Sequence, residues 1–146
     1  MTRGKMSSES EQLASAVAAI AAGILPTDTP PLVGWAPSAT GSELAGRVAM
    51  VEVVPGEYSF VVVDRASVRY TVTVVLVYVR EANDVDVSGH MATLNELMEA
   101  VAATLPDYFN IRPKFLGMDM EKLRSSGVFY AEIEIKASKD VVNPWL

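Results

Sequence analysis

The 146-residue chain contains no cysteine and one histidine. The first absence removes disulfides, thiol nucleophiles, cysteine-bound zinc and iron–sulfur clusters. The second removes any all-histidine metal site within one chain, since His90 stands alone. Basic residues are few, 12 Lys plus Arg against 18 Asp plus Glu, giving a formal net charge of −6. That balance argues against a surface that grips nucleic-acid phosphates, which needs clustered Lys and Arg. No uninterrupted apolar run approaches the roughly 20 residues that cross a bilayer. The polar start, with Glu9 and Glu11 ahead of the first Ala-rich stretch, does not read as a secretory signal. These features predict a soluble, intracellular type of chain without a membrane partner.

What is present is apolar. Half of the residues are hydrophobic and 21% are charged, with a mean hydropathy of +0.24. A chain of this length and composition predicts one domain with a real core. Residues 1–8 read as a disordered lead-in, residues 9–138 as the domain, and residues 139–146 as a short apolar tail.

Ser8 and Glu11 have capping-box spacing, and Leu13, Val17, Ile20 and Ile24 recur at helical spacing. A helix is therefore expected from about Glu9 to Gly23, with much of its surface alanine. Residues 25–45 carry Pro26, Pro30, Pro31, Pro37, Gly34 and Gly41 and read as a long irregular segment around Trp35. Strands are expected at Arg47–Val54 and Tyr58–Asp64, with Pro55-Gly56 as a type II turn between them. After a short turn at Asp64–Ser67, Val68–Arg80 is the longest strand. It is apolar on both faces, so it is central or covered on its second side. Met91, Leu94, Leu97, Met98, Val101 and Leu105 mark a second helix from about Gly89 to Thr104, which the pair Thr93 and Glu96 could start a turn late. Ile111–Gly117 reads as an edge strand because of Pro113. Met118–Ser126 reads as a loop or short helical turn. Val128–Ser138 alternates between Phe129, Ala131, Ile133 and Ile135 on one face and Tyr130, Glu132, Glu134 and Lys136 on the other. The expected fold class is α+β: a two-layer domain in which about five mostly antiparallel strands are packed by two helices.

Candidate chemistry is sparse. Asp84, Asp86, Ser88 and Gly89 have the spacing of the first half of a calcium-binding loop, but Asn95 occupies the twelfth position, where a bidentate Glu is required. The plainer reading is an Asx-rich turn leading into a helix N-terminus. His90, at that helix start, has no Ser or Cys nucleophile motif beside it and reads as a surface or capping residue. Glu132 and Glu134 share one strand face and could do acid–base work, but beside Lys136 they read as a solvated acidic face. The sequence has no phosphate-cradling glycine loop and no Gly-x-Ser-x-Gly. The expectation is a protein that is not an enzyme and has no cofactor.

Several local features together resemble the tail-terminator (tail-completion) proteins of long-tailed bacteriophages. They are the small-residue helix Leu13-Ala-Ser-Ala-Val-Ala-Ala-Ile20, the Pro-rich loop with its aromatic, Pro31-Leu-Val-Gly-Trp35, and the Val-rich strand ending in Pro55-Gly56. The long strand Tyr70–Arg80, the single following helix, and the final strand Gly127-Val-Phe-Tyr-Ala-Glu-Ile-Glu-Ile135 complete the set. The resemblance covers about residues 10–138. It implies a structural virion protein of the tail or neck, assembled in the host cytoplasm. Such a protein forms a homo-oligomeric ring, commonly of six subunits, which caps the tail tube and joins it to a head-side connector protein. The family has no catalytic residues to carry over. The expected partners are other copies of the chain, the tail tube protein and the connector, with DNA only as passing cargo. On this reading Trp35, Trp145 and Leu146 are candidate interface residues, and Glu132 and Glu134 a candidate lumen-facing or solvent-facing acidic row. Alternatives are another neck or tail-tube structural protein, or a small α+β ligand-binding domain or enzyme built around His90 with Asp84 or Asp86.

Overall fold

A computed structural model describes residues 8–25, 30–34, 49–81 and 87–143. The element order is α1 (Glu9–Ala22), β1 (Leu32–Val33), β2 (Ala49–Val62), β3 (Ser67–Glu81), α2 (Val87–Thr104), β4 (Phe109–Met118), α3 (Met120–Ser126) and β5 (Val128–Val142). The five strands form one sheet in the order β1-β2-β3-β5-β4. β1 runs parallel to β2, and every other neighbouring pair is antiparallel. The fold is α+β, with helices packed on a mixed, mostly antiparallel sheet.

β3 is central, as its two apolar faces require. One face sends Val72, Val74, Leu76 and Tyr78 into the main core beside Val51 and Val53 of β2 and Ala131, Ile133 and Ile135 of β5. α1 and α2 close this face with Leu13, Ala14, Val17 and Ala21 from the first and Leu94, Leu97 and Val101 from the second. Full burial of each large aliphatic side chain contributes about 1.5–3 kcal/mol, and the alanines of α1 let its backbone lie close to the strands. The Ser8 cap is present: its hydroxyl oxygen accepts from the Glu11 amide at 3.2 Å. Thr93 is not a cap. α2 begins at Val87, and the Thr93 hydroxyl donates to the Gly89 carbonyl inside the helix at 3.2 Å.

The opposite sheet face carries a smaller cluster at one end, Val77, Val79 and Val128 with Met50, Val54, Val75 and Tyr130. Further along the same face Thr71, Thr73, Glu134 and Lys136 are partly to largely exposed, the one-sided wetting common in antiparallel sheets.

Four expectations change. Pro55-Gly56 does not end a strand. β2 runs straight through it, and a β-bulge there sets Gly56 and Glu57 together opposite Thr73, between the pairs Pro55↔Val74 and Tyr58↔Val72. The extra residue shifts the alternation, so odd positions (Val51, Val53) face the helices before the bulge and even positions (Tyr58, Phe60) after it. Glycine is required because a Cβ at residue 56 would lie 2.7 Å from the backbone oxygen of Thr73. The strand count of five is restored by β1, which lies inside the segment expected to be irregular. Among the described residues there are three helices, the third in the stretch that reads as a loop or short helical turn. Residues 120–126 form α3, with Asp119 accepting from the Lys122 amide at 3.0 Å at its start and Gly127 in the left-handed conformation (φ 65°) at its end. Finally, β4 starts at Phe109, and β5 continues through Val142 into what read as the tail.

Candidate functional site

Beyond the bulge, β2 and β3 run on as a hairpin arm to the end of the sheet, flanked by the end of β5; Val68 and Val72 of β3 stay fully buried, and the β2 side chains are exposed. Tyr58, Phe60, Val61, Val62 and Val63 are all exposed, Val62 at 58%, and Val142 on the neighbouring strand reaches 79%. Single exposed aliphatics are ordinary, but a contiguous group on one projection marks an interaction surface.

The arm is braced rather than floppy. In the turn, the Asp64 carboxylate accepts from the Ala66 amide at 2.7 Å, the Ser67 amide at 2.9 Å and the Ser67 hydroxyl at 3.2 Å. These bonds hold its pKa below the usual carboxylate value. The Asn143 amide donates to the Ala66 carbonyl at 2.8 Å, tying the end of β5 to the turn. Arg69 reaches Asp140 across the strands with two bonds of 2.8 and 3.1 Å, which lowers the Asp140 pKa and raises that of Arg69. The Arg69 guanidinium also lies 4.9 Å from the Phe109 ring centroid. On the helix side, Tyr70 packs against Tyr58 and Phe60 at centroid distances of 6.0 and 5.6 Å. An apolar surface held in one conformation loses little entropy on docking.

At the far end of the sheet lies a shallow depression of about 250 Å³ lined by Leu116, Gly117, Met118, Asp119, Tyr130 and Glu132. The Lys122 ammonium sits 3.8 Å from the Tyr130 ring centroid, and the Tyr130 hydroxyl donates to Glu132 at 3.4 Å. Burial raises the Tyr130 pKa, and the charges of Glu132, Asp119 and Glu52 add to the rise. Two carboxylates, Asp119 and Glu132, line the depression, and the Lys122 ammonium beside Tyr130 offsets part of their charge.

Glu132 and Glu134 do share a face, as their spacing predicts, and both are half-buried. They do not form a purely acidic row: Glu134 is paired in register with Lys114 of β4, and Lys136, next on the same face, pairs with Arg112. His90 is neither a surface nor a capping residue. It is 1% exposed, its Nδ1 lies 3.1 Å from the Tyr78 hydroxyl, and its ring stacks on Phe129 at 4.8 Å. This packing makes it part of the core between α2 and the sheet, out of reach of a substrate. Trp35, Trp145, Leu146, Asp84 and Asp86 lie outside the described residues. Among the described residues there is no group of three or more His, Asp or Glu placed to hold a metal ion, and no helix is long and apolar enough to cross a membrane.

Sequence reasoning placed the strand Tyr58–Asp64 but missed that its side chains are exposed on both faces. The available signal was the run Phe60-Val61-Val62-Val63, apolar at consecutive positions, next to a turn rather than under a helix. No described protein family matches the chain, and neither does any curated protein.

Proposed function

We propose that the chain is a structural subunit that assembles with copies of itself into a ring, and that it serves as a tail terminator of a long-tailed bacteriophage. The observation that carries the reading is the braced apolar arm, Val61, Val62, Val63 and Val142 held out beyond the core. A lone domain gains nothing from projecting rigid valines into water, whereas a subunit covers them in its assembly. The small-residue helix, the long central strand and the final alternating strand that carry the resemblance support the same assignment. In this role the ring caps the tail tube and meets a head-side connector, DNA passes through without being gripped, and no cofactor is needed. The protein belongs to the virion tail or neck.

Light scattering on the purified protein across a wide concentration range, with negative-stain images, tests this. Closed rings of constant copy number are expected. Long tubes would assign the chain to the tail tube instead, and a monomer at every concentration would defeat the ring reading.

A further inference from the structure

The geometry points to a head-to-tail contact in which the arm tip of one copy docks into the depression beside Tyr130 and Glu132 of the next. This inference rests on the ring reading and names the surfaces that would close it. Three features of the two surfaces carry it.

The first is their position. The turn of the arm is tied to the Val142 end of β5, and the depression lies at the Val128 end of the same strand. Val142 and Glu132 are ten residues apart in β5, about 33 Å at 3.3 Å per residue. Two different patches at opposite ends of a subunit produce a heterologous contact, which closes into a ring when the rotation per subunit divides a full turn and runs on as a filament when it does not.

The second is charge. The exposed cation of the tip is Arg65. Asp64 beside it keeps its negative charge, with Oδ1 accepting three donors inside its own turn, and Arg65 is the guanidinium that the tip can offer to a carboxylate. The depression offers Glu132 beside Tyr130, with Asp119, the cap of α3, also in its lining. A tip-to-tip contact about a two-fold axis would instead set Arg65 against its own copy. An Arg–carboxylate pair suits a partly desolvated contact because the guanidinium can donate two parallel bonds.

The third is apolar match. Val62 and Val63 at the tip are about half exposed, as is Leu116 at the rim of the depression, with Met120 exposed just beyond it. Valine side chains against Leu116 and Met118 would remove apolar surface on both sides from water, around the ion pair.

The test is reversal of charge in the full chain, read by light scattering at low and physiological salt. Arg65→Glu and Glu132→Arg are each expected to weaken subunit association about tenfold, the change produced by about 1.4 kcal/mol. The chain carrying both should recover to within about threefold of the starting protein. Glu132→Gln keeps the shape of the side chain and should also weaken association, so the experiment survives if the arginine variant does not fold by circular dichroism. A covalent readout is independent of affinity. The natural chain has no cysteine, so every disulfide in a Val63→Cys, Leu116→Cys double variant comes from the introduced pair. Mild oxidation should give a ladder of covalent oligomers that either single variant lacks. If the unaltered protein forms rings but the reversals have no effect, the double variant does not recover and no ladder appears, this contact is wrong and the ring reading stands. If the unaltered protein is a monomer throughout, the ring reading falls and the contact with it.

Discussion

Replacing Gly56 with alanine tests the account of β2 most directly. At the bulge, a Cβ on residue 56 would lie 2.7 Å from the carbonyl oxygen of Thr73 and 3.3 Å from its carbonyl carbon. Carbon–oxygen contacts settle at about 3.3–3.6 Å, so the strands must separate by about 0.6 Å or more. The obstacle is backbone and cannot rotate away, and the strand that must move is the central one. Overpacking of this kind costs about 1–3 kcal/mol. Against it, removing a glycine reduces the entropy of the unfolded chain, a gain of about 0.4–1 kcal/mol. The expected net loss is about 1–2 kcal/mol, read as a lower urea midpoint with unchanged slope, or a fall in melting temperature of about 3–6 °C. Gly23→Ala is the control. That glycine has φ −75°, and its added Cβ would meet only the Ile20 oxygen, at 3.5 Å, an ordinary contact. It should be neutral or slightly stabilising. If Gly56→Ala unfolds at the same urea concentration as the starting protein, or no earlier than Gly23→Ala, the close approach at the bulge is not what fixes glycine there.

Other substitutions probe other parts of the fold. Gly127 ends α3 at φ 65° with open space around it, so Gly127→Ala should cost about 1–2 kcal/mol through backbone strain alone, and Gly127→Asn less, both measurable by thermal melts. Phe129 is fully buried against Tyr78 and His90, and Phe129→Ala should cost about 3–5 kcal/mol in urea unfolding. Burial, with the charges of Glu9 and Asp107, pushes the Tyr108 phenol up to about 12 from 10.0. The folded state therefore holds that proton longer than the unfolded chain, and stability should fall as pH rises from 10 towards 12. Because the hydroxyl is buried with no hydrogen-bond partner, Tyr108→Phe should keep or raise stability at pH 7 while flattening that alkaline loss. Asp64 and Asp140 are both depressed below 3.8, so their contribution is complete above that value and is lost as pH falls below it. Asp64→Asn should make melting temperature less dependent on pH in that acid range.

Where sequence and structure agree, local chemistry set the outcome. Ser8 with Glu11 starts α1, the turn at Asp64 joins two antiparallel strands, and Pro113 marks β4 as an edge, all from groups within a few residues of one another. The misses have different causes. Pro55-Gly56 carries the signature of a turn, but the same pair suits a bulge, and only the fifteen-residue partner strand decides between them. The parity change from Val51 and Val53 to Tyr58 and Phe60 was the legible clue. α3 is seven residues long, too short for a hydrophobic stripe to show, although its two ends, Asp119 and Gly127, are the expected start and stop signals. His90 looked polar because one residue has no periodicity of its own. Its burial follows from its place one turn before Leu94 and Leu97 on the inner face of α2. The arm gathers residues of β2, β3 and the end of β5, the depression residues on either side of α3, and their separation along β5 follows from the pairing of complete strands.

The pairing of β3 with β5 has a mechanical consequence. All fifteen residues of one are matched to all fifteen of the other, from Ser67↔Val142 to Glu81↔Val128, with no interruption. A pull on the Ser67 end of β3 against the Val128 end of β5 acts along the strands and shears the ladder, so the load is shared by every rung at once. A pull on two strand ends at the same edge would peel the rungs one by one. A subunit strained between its two ends would therefore resist stretching through its longest unbroken ladder, whereas the two-residue β1 pairing would yield early.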